Sequence, residues 1–94
     1  MSKFQSVLIE VRNQLISDKF PKTPYDINCG FCADFATLVW EKMNRDQSIL
    51  IHNDEEMMPE QEYSHTFLEY ENLFYDAECL EGVDDWTDLP TFHR

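Results

Sequence analysis

His65-Thr66-Phe67-Leu68-Glu69-Tyr70-Glu71-Asn72-Leu73-Phe74-Tyr75-Asp76 reads as two extended segments joined by a two-residue turn. Aromatic and branched residues fill both segments, and Glu71-Asn72 has the polar character of a hairpin turn. With Tyr63–Tyr70 and Leu73–Glu78 as the strands, Tyr70 pairs with Leu73, Phe67 lies opposite Asp76, and His65 lies opposite Glu78. Side chains alternate along a strand, so Tyr63, His65, Phe67 and Glu69 share one face. Asp76 falls on that face too, one diagonal from His65 and within side-chain reach. A slip of one residue would move Asp76 to the other face. The hairpin therefore fixes both a sheet and a His65–Asp76 pairing.

Upstream, Asn28-Cys29-Gly30-Phe31-Cys32-Ala33-Asp34-Phe35-Ala36 closes a loop over 20–30 and opens a helix from about Gly30 to Asn44. Phe31, Phe35, Leu38, Val39 and Met43 recur at helical spacing and mark a buried stripe. Cys32 then lies in the first helical turn, where unpaired backbone N–H groups favour a thiolate. Before it, Ser2 and Gln5 resemble a capping box, and Phe4, Val7, Leu8, Val11 and Leu15 mark one face of a helix running to about Lys19. Ser48-Ile49-Leu50-Ile51-His52 reads as a short buried strand. Asn53 to Glu62 is an acidic loop. Its Asp54, Glu55 and Glu56 lack the spacing of a calcium loop. In the tail, Asp84-Asp85 suit the cap of a short turn around Trp86, and Trp86, Leu89 and Phe92 fold back on the core.

The expected architecture is α+β: one domain over residues 1–94, with N-terminal helices on a small antiparallel sheet of about three strands. The 94 residues and 43% hydrophobic content suffice for a core. Three cysteines, an odd number, make no disulfide framework. No apolar run approaches the roughly 20 residues of a membrane span, and no leader pattern opens the chain. The expectation is a cytoplasmic protein. The net charge of −12 sits wholly in residues 47–94, which hold thirteen acids and one base, against six of each in residues 1–46. Such a field repels phosphates and disfavours nucleic acid, while it attracts a basic protein surface.

In chain order there is a cysteine at a helix start, then a strand histidine, then an aspartate on the next strand. Gly30-x-Cys32-x-x-Phe35-Ala36 followed by His65 and Asp76 resembles the core of the papain-like and transglutaminase-like cysteine enzymes, over about residues 28–78. The resemblance implies Cys32 as nucleophile, His65 as base and Asp76 as the group that orients it. It implies acyl transfer on a protein or peptide substrate, by hydrolysis or by transfer to an amine, with no cofactor or metal. Full members of the superfamily are longer, and Thr66-Phe67 follows His65 here. Asn28 and Tyr25 are candidate oxyanion or substrate contacts, and Glu78 is the alternative acid. Three other readings use the same residues: a thioredoxin-like redox motif at Cys29-Gly30-Phe31-Cys32, a zinc site from Cys29, Cys32, His65 and Cys79, and an acidic binding or inhibitor protein without catalysis.

Overall fold

In the computed structural model, residues 2–53 and 65–93 are described; the acidic cluster Asp54–Glu56 lies outside them. Three helices pack against a four-stranded antiparallel sheet. Helix α1 spans Lys3–Leu15, α2 spans Pro24–Gly30 and α3 spans Cys32–Lys42. The strands are β1 (Leu50–Asn53), β2 (Thr66–Tyr70), β3 (Leu73–Asp76) and β4 (Cys79–Val83), ordered β1-β2-β3-β4 as a simple meander.

Helix α1 begins at Ser2, whose hydroxyl oxygen accepts from the Gln5 N–H at 3.1 Å, satisfying one of the unpaired donors of the first turn. Phe4, Val7, Leu8 and Val11 are its buried face. The helix stops at Leu15, four residues short of the expected end. Ile16 is extended, and the Ser17 N–H turns to the Pro21 carbonyl.

Residues 20–30 are not one loop: Pro24–Gly30 is helical. Thr23 accepts from the Asp26 N–H at 3.2 Å, and Asp26 Oδ2 accepts in return from the Thr23 N–H at 3.3 Å. This reciprocal cap, with proline at the first helical position, is a strong start signal. One residue, Phe31, then ends α2 and precedes α3. It donates its N–H to the Ile27 carbonyl and accepts at its own carbonyl from Phe35. The sharp joint leaves Cys32 as the first residue of α3.

In the hairpin, Tyr70 pairs with Leu73, Glu69 with Phe74 and Leu68 with Tyr75, the register expected from the sequence. Glu71 (φ 52°) and Asn72 (φ 70°) both have positive φ, as a type I′ turn requires. The second strand ends at Asp76, however. Ala77 and Glu78 turn the chain, and Cys79–Val83 returns as a fourth strand, so the sheet has four strands rather than three and Glu78 lies in the β3–β4 turn, not in a strand opposite His65. Glycine enables this return. Gly82 has φ +84°, and a Cβ there would meet the Tyr75 ring at 2.8 Å.

The two sheet faces are covered differently. Leu68 and Tyr75 join Phe4, Leu8, Val11, Ile27, Phe35, Ala36 and Val39 in the main core, and each such fully buried large side chain contributes about 1.5–3 kcal/mol relative to exposure. The other face carries Phe67 and Phe74, covered by the C-terminal tail. Trp86 stacks on Phe67 at 5.8 Å and Phe92 meets Trp86 edge to face at 5.1 Å, while Leu89 is fully buried. Asp85 caps the short turn around Trp86 through the Thr87 N–H, as the sequence indicated. Strand β1 is an edge rather than a buried strand: Leu50 and Ile51 are 48% and 42% exposed. No helix among the described residues is long and apolar enough to cross a membrane.

Candidate active site

The three residues singled out in the sequence meet at one end of the sheet. Cys32 is held there by the α2–α3 joint, His65 immediately precedes β2, and Asp76 ends β3. His65 Nε2 lies 3.0 Å from Asp76 Oδ2, with 3% and 1% of the two side chains exposed. The other carboxylate oxygen, Oδ1, accepts from the Glu78 backbone N–H at 2.9 Å. Both oxygens of Asp76 are therefore committed, and the carboxylate plane is fixed. A β3–β4 turn at Ala77-Glu78 is what aims that N–H back at Asp76.

The Cys32 sulfur interacts with His65 and accepts from the Thr66 backbone N–H at 3.5 Å. Partial burial alone would push the thiol up. The adjacent His65 ring and its charge, with the Thr66 N–H and hydroxyl, outweigh it and hold Cys32 below the ordinary thiol value. His65 shows the same competition. Burial disfavours the imidazolium, but the hydrogen bond to Asp76 and the nearby Asp76 and Cys32 charges raise it to about 9. Together these shifts move the site toward a thiolate facing an imidazolium. Helix α3 has no side-chain cap, so the positive end of its backbone dipole adds to the field at Cys32.

Aromatic rings enclose the histidine. Phe67 stacks on it at 6.1 Å with the rings inclined by 28°, and Phe92 meets it edge to face at 5.6 Å.

The secondary candidates fall as follows. Asn28 is buried at 8% exposure, and its Nδ2 donates to Glu78 Oε1 at 2.9 Å. Glu78 holds Asn28 through its carboxylate and Asp76 through its backbone N–H. Tyr25 is 49% exposed on the first turn of α2. Cys29 is exposed, and Cys79, half-buried at the start of β4, is pushed up by that burial. Among the described residues, no three His, Cys, Asp or Glu side chains gather to hold a metal ion.

Two contributors were not read from the sequence. Thr66 presents both its N–H and its hydroxyl to the sulfur. Asn53, paired with Thr66 across β1 and β2, donates Nδ2 to Thr66 Oγ1 at 3.1 Å and so leaves the hydroxyl proton for the thiolate. The signal was weak, because the β1–β2 register is set across a long acidic segment and not by a tight turn.

No family model, no curated protein and no solved structure matches this chain.

Proposed function

We propose that the protein is a cysteine-dependent acyl-transfer enzyme built on a papain-like or transglutaminase-like core, with Cys32 as nucleophile, His65 as base and Asp76 as its orienting carboxylate. The observation that carries this reading is the placement of His65 between a sulfur and a buried, doubly hydrogen-bonded aspartate. A helix bearing the cysteine packs on an antiparallel sheet whose neighbouring strands bring the histidine and the acid, as that architecture requires.

Asp76 takes Nε2–H, so Nδ1 is the nitrogen that serves the sulfur. His65 removes the Cys32 proton and the thiolate forms a C–S bond to an amide or ester carbonyl. The oxyanion is received by the Cys32 backbone N–H at the uncapped start of α3, while Asn28 has its amide N–H directed to Glu78. The imidazolium protonates the leaving amine or alcohol as its bond to carbon breaks, leaving a thioester. His65 then takes a proton from water, and hydroxide attack releases the acid and the thiol. An amine in place of water gives a new amide. The net charge of −12 favours a basic protein or peptide substrate by charge complementarity.

The test is intact-mass and peptide analysis after incubation with a series of N-acetyl amino-acid p-nitrophenyl esters, lysyl and arginyl esters included. A transient acyl adduct on Cys32, absent from Cys32→Ala and slowed by His65→Ala, is the expected result. A folded protein that forms no adduct on Cys32 with any ester contradicts the reading.

A further inference from the structure

The α2–α3 joint touches the site twice. It carries Cys32, and one helical turn earlier it carries Asn28. From Asn28 a chain of contacts leads away and returns. Asn28 Nδ2 donates to Glu78 Oε1 at 2.9 Å, across 50 residues of sequence. The Glu78 N–H donates to Asp76 Oδ1 at 2.9 Å. Asp76 Oδ2 faces His65 at 3.0 Å, and His65 faces the Cys32 sulfur. The circuit closes on the joint from which it began.

Carboxylate chemistry fixes the sense of the first link: an ionised Glu78 only accepts, so the Asn28 amide must present nitrogen to it. That orientation leaves Asn28 Oδ1 buried with no hydrogen-bond partner among the described residues. An unmet buried acceptor costs stability, whereas an apolar side chain there would avoid the cost. The amide's donor is therefore the part of Asn28 with something to do, and what it holds is the turn that holds Asp76.

We infer that Asn28 is a positioning residue of the triad, which acts through Glu78 to lock the Ala77-Glu78 turn and thereby the Asp76 carboxylate against His65. The inference rests on the acyl-transfer reading of Cys32, His65 and Asp76. Loss of the Asn28 donor lets the turn relax, weakens the Asp76–His65 contact and returns Cys32 toward an ordinary thiol.

The test is the pH profile of Cys32 alkylation by iodoacetamide, followed by peptide mass spectrometry, with thermal unfolding as the check on folding. Asn28→Ala and Asn28→Asp shift the profile upward and slow alkylation at pH 7 about tenfold, the second by setting a like charge beside Glu78. Asn28→Asp combined with Glu78→Gln exchanges donor and acceptor and restores the rate to within about threefold of wild type. If the Asn28 variants do not fold, Glu78→Ala against Glu78→Gln asks the same question from the partly exposed end: alanine shifts the profile, while glutamine, whose Oε1 still accepts from Asn28, does not. Folded variants with the wild-type profile, or a double variant no faster than Asn28→Asp, overturn the inference while the triad stands. A wild-type Cys32 that alkylates as an ordinary thiol overturns the triad reading and this inference with it.

Discussion

His65 Nε2 and Asp76 Oδ2 lie 3.0 Å apart, with almost no exposed surface on either side chain. A buried polar pair of this kind is costly to break, because removing one partner strands the other without water. Asp76 is also held at its second oxygen by Glu78, so its loss strands two donors.

Asp76→Ala should therefore cost about 3–5 kcal/mol in urea unfolding. Asp76→Asn keeps the shape but offers only one acceptor oxygen, and it favours the wrong histidine tautomer. Acyl transfer should fall on the order of 10³-fold or more in that variant, with a smaller loss of stability than for alanine. Parallel unfolding and ester-turnover measurements on the two variants check the separation.

The pH dependence follows from proton counting. His65 is raised in the folded state to about 9, so its stabilising contribution is complete below the unfolded value of about 6.5 and is lost as pH rises through about 9. Cys32 is lowered, so its contribution is present above the unfolded thiol value and is lost as pH falls through the folded one. The two slopes oppose each other where their ranges overlap. Wild-type stability is therefore expected to change less between about pH 6.5 and 9 than His65 alone would make it. Cys32→Ala removes one side of the balance, so its stability should decline across the same range, by up to about 1.4 kcal/mol per pH unit. Acyl transfer itself should fall above pH 9, as His65 loses the proton it gives to the leaving group.

Thr66→Val keeps the branched shape of the side chain and the backbone N–H while removing the hydroxyl that Asn53 orients toward the sulfur. Cys32 alkylation at pH 7 should slow about threefold to tenfold, roughly the worth of one hydrogen bond to a charged group. A like-sized effect is expected from Asn53→Ala, and the two together should be less than additive.

Gly82→Ala tests the fourth strand. At φ +84° any side chain is strained, and its Cβ would press on the Tyr75 ring. A loss on the order of 2 kcal/mol or more in urea unfolding is expected.

The parts of this molecule written in local sequence were legible. Glu71-Asn72 set the hairpin register, and that register puts His65 and Asp76 on one face. The spacing from Phe31 to Met43 set the α3 stripe, and Asp85 marked the cap before Trp86. What escaped has local or tertiary causes. The Thr23-Pro24-x-Asp26 start signal was present, but the nearby prolines made residues 20–30 read as a loop. Strand β4 was hidden because Cys79–Val83 carries glutamate and glycine and lacks alternation; Gly82 is there to accommodate Tyr75. Ile51 and Leu50 looked like a buried strand, yet chain order places them at the sheet edge. The roles of Thr66, Asn53 and Asn28 depend on contacts between distant segments, which no spacing within one segment reveals.

Acyl transfer at this site would require Cys32 and His65 to form a working pair. The measurement is the pH dependence of alkylation at Cys32 in wild type and in His65→Ala, with exposed Cys29 and half-buried Cys79 in the same digests as internal references. The expected result is a Cys32 profile shifted below that of a free thiol, near 8.5, and an upward return in His65→Ala. A Cys32 that alkylates as an ordinary thiol, at the same rate with and without His65, would contradict it.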